Sequence, residues 1–456
     1  MKPQLPLALL IAGLVAGCRF DAEGIVAFKS ASPLEHPKRA DDPPDVAPAQ
    51  PVIPDRTFNV ADYGAKGDAG VTVNTEPFRR AIAAVKAAGG GTLVVPAAKE
   101  AYFTGAFDLC SNLNLRLEKG ATILFSPAFS DYRELGNSNR YRPLVLGRDL
   151  HDIELSGQGT LDGNGTAWWP EAWRYKAVAR AEHARGDTSP RPIMVSLVHC
   201  QRVRVEGITF TDSPVFNLVP SNCDDVTVEG ITISNPGTSP NTDGIDPKGD
   251  RRVLIAHCNI STGDDCVALG GNDPESDILI TDCTFGFGHG CSIGSGTTGG
   301  LRNLVVRRCS FDGTDTGVRL KSGRSRGGKV ENVVYEDLTM KNVGVAISIS
   351  SYYNNTPIDS ASQDAAQPVN ATTPFWSNIV IRDVVATACR KNAGLIFGLP
   401  EAPVKAVTLE DVSIEAPVGL KIANAQRITL RRVKITAASG PDLIVDPSAS
   451  GIVRTP

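Results

Sequence analysis

Three aspartates, one histidine and two cations stand at matching places in four consecutive segments. The segments read Asn241-Thr-Asp-Gly244, Gly263-Asp-Asp-Cys266, Gly288-His-Gly290 and Gly317-Val-Arg-Leu-Lys-Ser322. Aligned by the repeat they belong to, Asp243, Asp265, Gly290 and Gly317 share one column, and Asp264 and His289 share the column before it. Arg319 and Lys321 follow two and four residues along, on the face that strand alternation assigns to Asp265. Carboxylates crowded together raise the pKa of at least one of them. Glycosidic hydrolysis uses such a set: one carboxylic acid protonates the leaving oxygen while another carboxylate activates water or attacks carbon. Gly290 and Gly317, lacking side chains, are expected to leave room beside the carboxylates for a sugar.

Each member alone has an ordinary structural explanation. Asp264-Asp265 after a glycine reads as a turn, and so does His289 between glycines. Lys321, Arg324, Arg326 and Lys329 read as a solvated loop, as do Lys248, Arg251 and Arg252. Trp168, Trp169 and Trp173 read as local packing rather than a sugar platform. The joint arrangement is what favours chemistry.

The elements that must hold this set come from an internal repeat. Segments such as Val203–Phe210, Val226–Ile233, Val253–Ile260, Ile278–Phe285, Leu304–Phe311 and Val333–Met340 share one pattern, and further copies begin at Ile379, Val407 and Ile428. Gly207, Gly230, Cys258, Cys283, Cys309 and Asp337 are taken as one position, with spacings of 23, 28, 25, 26 and 28 residues. Each copy holds short β-branched runs of period two, broken by Gly, Asn or Asp. Such a unit cannot bury its own apolar face, so copies must stack. A propeller blade needs about 40–45 residues, and leucine-rich repeats need a leucine template that is absent. The fold class is therefore all-β: a single right-handed parallel β-helix of about ten coils over residues 56–450. Thr75–Ala88 is the one visible helix, with Phe78, Ile82 and Val85 on one stripe; it would cap the open end of the stack. Cys258, Cys283 and Cys309 should form a buried ladder, with Cys266 and Cys291 a second matching pair.

The ends and the composition set the context. Lys2 precedes an apolar run from Leu5 to Val15 that ends in Val15-Ala-Gly-Cys18. This layout is that of a signal peptide over 1–17, and the last four residues resemble a bacterial lipobox, with Cys18 as the lipidated residue. Residues 18–55 read as a proline-rich linker, extended and unpacked. The chain is thus expected to be exported and lipid-anchored in a bacterial cell envelope, at the outer membrane or periplasmic face, or otherwise secreted. Its 456 residues are 41% hydrophobic and 21% charged, enough for a sizeable core. A net charge of −4 argues against a nucleic-acid partner. Ten cysteines without a CxxC give no zinc motif. No cofactor and no metal are expected, and the chain is expected to act as a monomer.

The four motifs, in this order and at these spacings, resemble those of the polygalacturonase family, glycoside hydrolase family 28. The resemblance covers roughly residues 56–450 and takes in Phe58–Gly67 and Gly159–Gly165. Leu320 departs from it, where isoleucine is more usual. The resemblance implies hydrolysis of α-1,4-galacturonosyl bonds in homogalacturonan, the backbone of pectin, with inversion. It implies Asp264 as general acid, Asp243 and Asp265 as activators of the water, and His289 as a tuner of the acid. It implies Asn241, Arg319, Lys321 and Tyr353 as substrate contacts, with Tyr352 the competitor for the last role. Related rhamnogalacturonan hydrolases lack the His and the Arg-x-Lys pair. Segments 164–191 and 353–375 would close the cleft and set the mode of attack. Two rivals share the fold: a Ca²⁺-dependent pectate lyase using the same carboxylates as ligands, and a non-catalytic carbohydrate-binding surface protein.

Overall fold

The computed structural model describes residues 42–132, 141–181, 189–353 and 364–456. The expected signal segment 1–17 and Cys18 lie outside the described residues.

From Asp42 onward the chain winds into one right-handed parallel β-helix. Every coil lays one strand on the coil before it. One ladder runs from Thr57–Asn59 through Gly91–Val95 and Gln201–Glu206 to Ser450–Thr455. A second passes through Thr209–Thr211 and Asn259–Ser261, and merges with the first in long bent strands from Leu301–Asp312 onward. A third forms the face that carries the motifs. It comprises a four-stranded and a seven-stranded sheet joined through Ile245, which bridges Leu218 and Val267. With those strands the stack is taller than the ten or so coils expected.

The period-two pattern does the work assigned to it. Val203, Val226, Val253, Ile278, Leu304, Val333, Ile379, Val407 and Ile428 pair in one inward column. All are buried. Between the first and second ladders the backbone turns through a left-handed residue in coil after coil: Gly207, Gly230, His257, Asp282, Asp337 and Asp411. Asn, Asp and Gly accept that conformation most readily, which is why the repeat is broken there. Gly207, Gly230 and Asp337 are therefore corner residues. The register Thr232↔Asn259↔Thr284↔Ser310 places Cys258, Cys283 and Cys309 one residue after the corner, level with Ile208 and Ile231 in the core. The nine described cysteines are buried and free.

The helix Thr75–Ala87, α1, buries Phe78, Ile82 and Val85. Phe78 stacks on Phe107 of the first cleft-face strand at 5.1 Å, so α1 covers the N-terminal end of the stack. A second helix, α2 (Trp169–Ala181), was not foreseen. Its stripe of Trp169, Ala172 and Trp173 meets Lys176 in the next turn, so no helical period stands out. Trp168 is buried and stacks on Phe129 at 4.0 Å.

The proline-rich segment departs from its expected unpacked state from Asp42 on. It is extended, and it is docked across the outside of the first ladder. The Val52 amide donates to Asp152, Gln50 bonds Thr227 and accepts from Arg204, and the Ala49 amide donates to Asp225. Asp42 pairs with the buried Arg382, which also holds Glu336. From the strand of Thr227 to that of Arg382 is five strand steps, about 24 Å at ~4.8 Å each. Seven to eight extended residues at ~3.3 Å span about the same distance.

Candidate active site

The site is built where the chain enters the cleft-face strands. Register on that face starts at Ile245↔Val267↔Cys291↔Val318. Continued backwards, it sets Asp243, Asp265, His289 and Thr316 at one level. The His289 amide donates to the Asp264 carbonyl at 2.7 Å, consistent with that level. This corrects the sequence alignment by one residue: His289 is level with Asp265, not Asp264. Gly290 and Gly317 are level with Cys266, and Cys266 and Cys291 are not a matching pair. The turn before Cys291 is one residue shorter than the turn before Val267, so an alignment carried through the corner slips.

Gly290 and Gly317 do not open space for a sugar. A Cβ on Gly290, which has φ +86°, would lie 2.0 Å from the Thr316 carbonyl oxygen. One on Gly317 would lie 2.3 Å from Met340 Sδ in the core. Both glycines serve close stacking of coils.

The two cations, His289 and the paired aspartates converge. Asp265 is buried and accepts from Ser292 Oγ (2.9 Å) and Arg319 Nη1 (2.5 Å) on Oδ1, and from Lys321 Nζ (2.7 Å) on Oδ2. Burial works to raise its pKa, but Lys321, His289 and Arg319 outweigh it and hold the carboxyl far below the usual range. Asp264 is partly exposed. Its Oδ1 accepts from the Asp265 amide, and its Oδ2 accepts from Asn241 Nδ2 at 3.3 Å. His289 Nδ1 lies 2.9 Å from Asp264 Oδ1 and 3.5 Å from Asp265 Oδ1, close charge contacts outside hydrogen-bond alignment. Burial would raise Asp264, but His289 and Lys321 turn the balance downward. Burial would lower His289, yet the two carboxylates bring it up to about 9. Its Nε2 lies 3.5 Å from Asp315, beside a cavity of about 260 Å³ lined by Phe287, Gly288 and Arg390 among others.

Asp243 is the odd carboxyl. It is buried, its Oδ1 has no partner, and burial together with Asp264, Asp246 and Asp265 pushes its pKa well above the ordinary value. The surroundings therefore disfavour the charged form of Asp243 and favour that of Asp264 and Asp265, which face His289.

Three supporting residues were not legible in the motifs. Arg191 is buried and donates to the Pro214 and Pro240 carbonyls and to Asn241 Oδ1 at 2.8 Å. It holds Asn241, whose backbone is left-handed at φ +56°. Asn217 donates to the carbonyls of Thr242 and Asp243 and fixes the backbone that carries Asp243. Ser292 completes the shell of Asp265. Tyr353 and Tyr352 are separated cleanly: Lys321 Nζ sits 5.2 Å over the Tyr353 ring, while Tyr352 is buried and donates to Asp364.

Asp264, Asp265 and His289 each bring a ligand atom within 4.8 Å of the others, a spacing that could hold a cation. The oxygens of Asp265 are already taken by Arg319, Lys321 and Ser292. Two protein cations on one carboxylate repel a third charge, so the donor set suits Ca²⁺ poorly.

A family model for the glycosyl hydrolases family 28 matches residues 93–438. A probable polygalacturonase of Arabidopsis thaliana is 30% identical over 396 residues, covering 84% of this chain and 79% of that protein. An endo-polygalacturonase of Pectobacterium carotovorum subsp. carotovorum is 30% identical over 71% of this chain and 80% of its own length. Among solved structures, a hyperthermoactive exopolygalacturonase from Thermotoga maritima superposes with a TM-score of 0.70 at 28% identity, over 84% of this chain and 94% of that one.

Proposed function

Since the chain belongs to the glycosyl hydrolases family 28, we propose that it hydrolyses the α-1,4-galacturonosyl bonds of polygalacturonate, the backbone of pectin, with inversion. The observation that carries this reading is the meeting of Asp243, Asp264 and Asp265 with His289, Arg319 and Lys321 on one face of the stack. In this reading Asp264 is the general acid, and Asp265 with Asp243 directs the attacking water. Substrate carboxylates are held by Arg319 and Lys321, with Asn241 and Tyr353 as further contacts.

The free site holds Asp264 as an anion, so the acid must collect its proton. His289 is the donor at hand: its Nδ1 is 2.9 Å from Asp264 Oδ1, and a turn of the ring would bring its proton into line. When the sugar displaces water, the charged pair loses solvation, and transfer of the proton from Nδ1 to Asp264 Oδ1 leaves two neutral groups. Asp264 then protonates the glycosidic oxygen.

A second assignment is favoured by one observation: Asp243 is buried among other carboxyls with no partner on Oδ1, a setting that favours its protonated form. In that version Asp243 protonates the leaving oxygen and Asp265 acts on the water. An aryl galacturonide with a good leaving group needs little acid assistance. It should be cleaved by whichever of Asp264→Asn and Asp243→Asn has lost the acid, while polygalacturonate is not. Proton NMR of the fresh product from wild type should show the β anomer; an initial α product overturns inversion.

No helix among the described residues is long and apolar enough to cross a membrane. The chain is proposed to be exported, lipidated at Cys18, and active as a monomer.

A further inference from the structure

The sequence places Lys248 in a solvated loop. The structure seats it in the cleft face. Lys248 pairs with Ser221 in the strand ladder, and register continues from it through Gly270 and Gly294 to Lys321. The two lysines therefore occupy one column, three strand steps or about 14 Å apart at the backbone. No side chain stands between them in that column.

The head of Lys248 leans toward the reacting carboxylates. Its Nζ lies 4.5 Å over the centre of the Phe216 ring and 3.2 Å from Asp246 Oδ2. Phe216 sits one coil before Asp243 at the same level of the face, because the Asn217 amide donates to the Asp243 carbonyl. Asp246 is buried, its Oδ1 has no partner, and burial raises its pKa to about 6. The Lys248 side chain keeps about a third of its surface exposed. An ammonium has three donors in fixed directions, and an aromatic face holds a cation without consuming any of them.

The charge pattern asks for such a group. Arg319 and Lys321 are both engaged by Asp265. On the N-terminal side of the reacting centre a polyanion meets Asp243 and Asp246. We infer that Lys248, seated on Phe216, binds the carboxylate of a galacturonate residue on the side of the scissile bond opposite to Arg319 and Lys321. The chain would then be gripped by cations on both flanks of the bond to be broken. This inference rests on the polygalacturonate reading above.

The test is binding of trigalacturonate and of its methyl ester to Asp264→Asn protein, with and without Lys248→Gln, by calorimetry. Thermal midpoints of Lys248→Gln, Lys248→Met and Lys248→Arg show which variants are folded. The expected result is about a ten-fold weaker affinity for the acid in the Gln and Met variants, little change for the ester, and partial recovery with Arg. Equal loss for acid and ester would assign Lys248 to supporting Asp246 alone and overturn the inference. So would an unchanged affinity for the acid. If wild type leaves polygalacturonate uncut, the functional reading itself falls; if wild type cuts it and Lys248→Gln binds normally, only this inference falls.

Discussion

Replacing Asp264 with asparagine removes the anion 2.9 Å from His289 Nδ1. At that separation and an effective dielectric constant near 20, the attraction is about 5–6 kcal/mol, or about four powers of ten in acidity. In the native site His289 is raised from 6.5 to about 9, after burial and Arg319 have both pulled it down. The loss of one partner thus exceeds the whole net rise of about 2.5 in pKa. His289 in Asp264→Asn should titrate at or below its ordinary 6.5. Long-range ¹H–¹⁵N spectra of the imidazoles follow this directly, with His289→Gln identifying the signal among six histidines. The same proton is linked to stability. Because the folded pKa is raised, the contribution is complete below pH 6.5 and is lost as the pH rises to about 9; it amounts to about 3 kcal/mol. Asp264→Asn should lack that alkaline loss. A native His289 titrating near 6.5, or one unmoved by the substitution, would refute the ion pair and with it the route by which Asp264 gains its proton.

On polygalacturonate, Asp264→Asn, Asp243→Asn and Asp265→Asn should each lower kcat by two or more orders of magnitude, measured as reducing ends released; near-normal rates in all three would mean the site is wrongly assigned. Lys321→Ala should weaken binding of polygalacturonate more than of esterified pectin. It should also destabilise the fold by about 1–3 kcal/mol, because it strips one buried partner from Asp265, which keeps Arg319 and Ser292; denaturation at pH 7 checks this. A chelator should leave the rate unchanged, and activity lost to it and restored by Ca²⁺ would point to an eliminase.

The stack, α1 and the convergence of the charged residues could be read from the sequence because they rest on local rules. Alternating Val and Ile fix the faces of strands, and left-handed corners select Gly, Asn and Asp. What escaped depends on turns. One shorter turn shifted His289 by one level, and nothing in Gly288-His-Gly290 announces it. Arg191 and Lys248 reach their places through contacts with carbonyls and an aromatic ring distant in the chain. α2 lacks a continuous apolar stripe. The electrostatic split between Asp243 and Asp265 was hidden for a similar reason: it comes from which carboxyl the long side chains of Arg319 and Lys321 reach.

The docked segment from Asp42 to Val52 changes how such a stack can come apart. In a solenoid each coil touches only its neighbours, so coils can fray from an end one at a time. Here one short stretch joins Asp152, Asp225, Thr227 and Arg382, residues of three coils of which the outer two are seven strand steps apart. It can dock only after those coils are in place, and while docked it ties the loss of any one of them to the release of the rest. Local opening becomes more nearly global, and a protease that cuts within 42–52 should loosen coils it never touches.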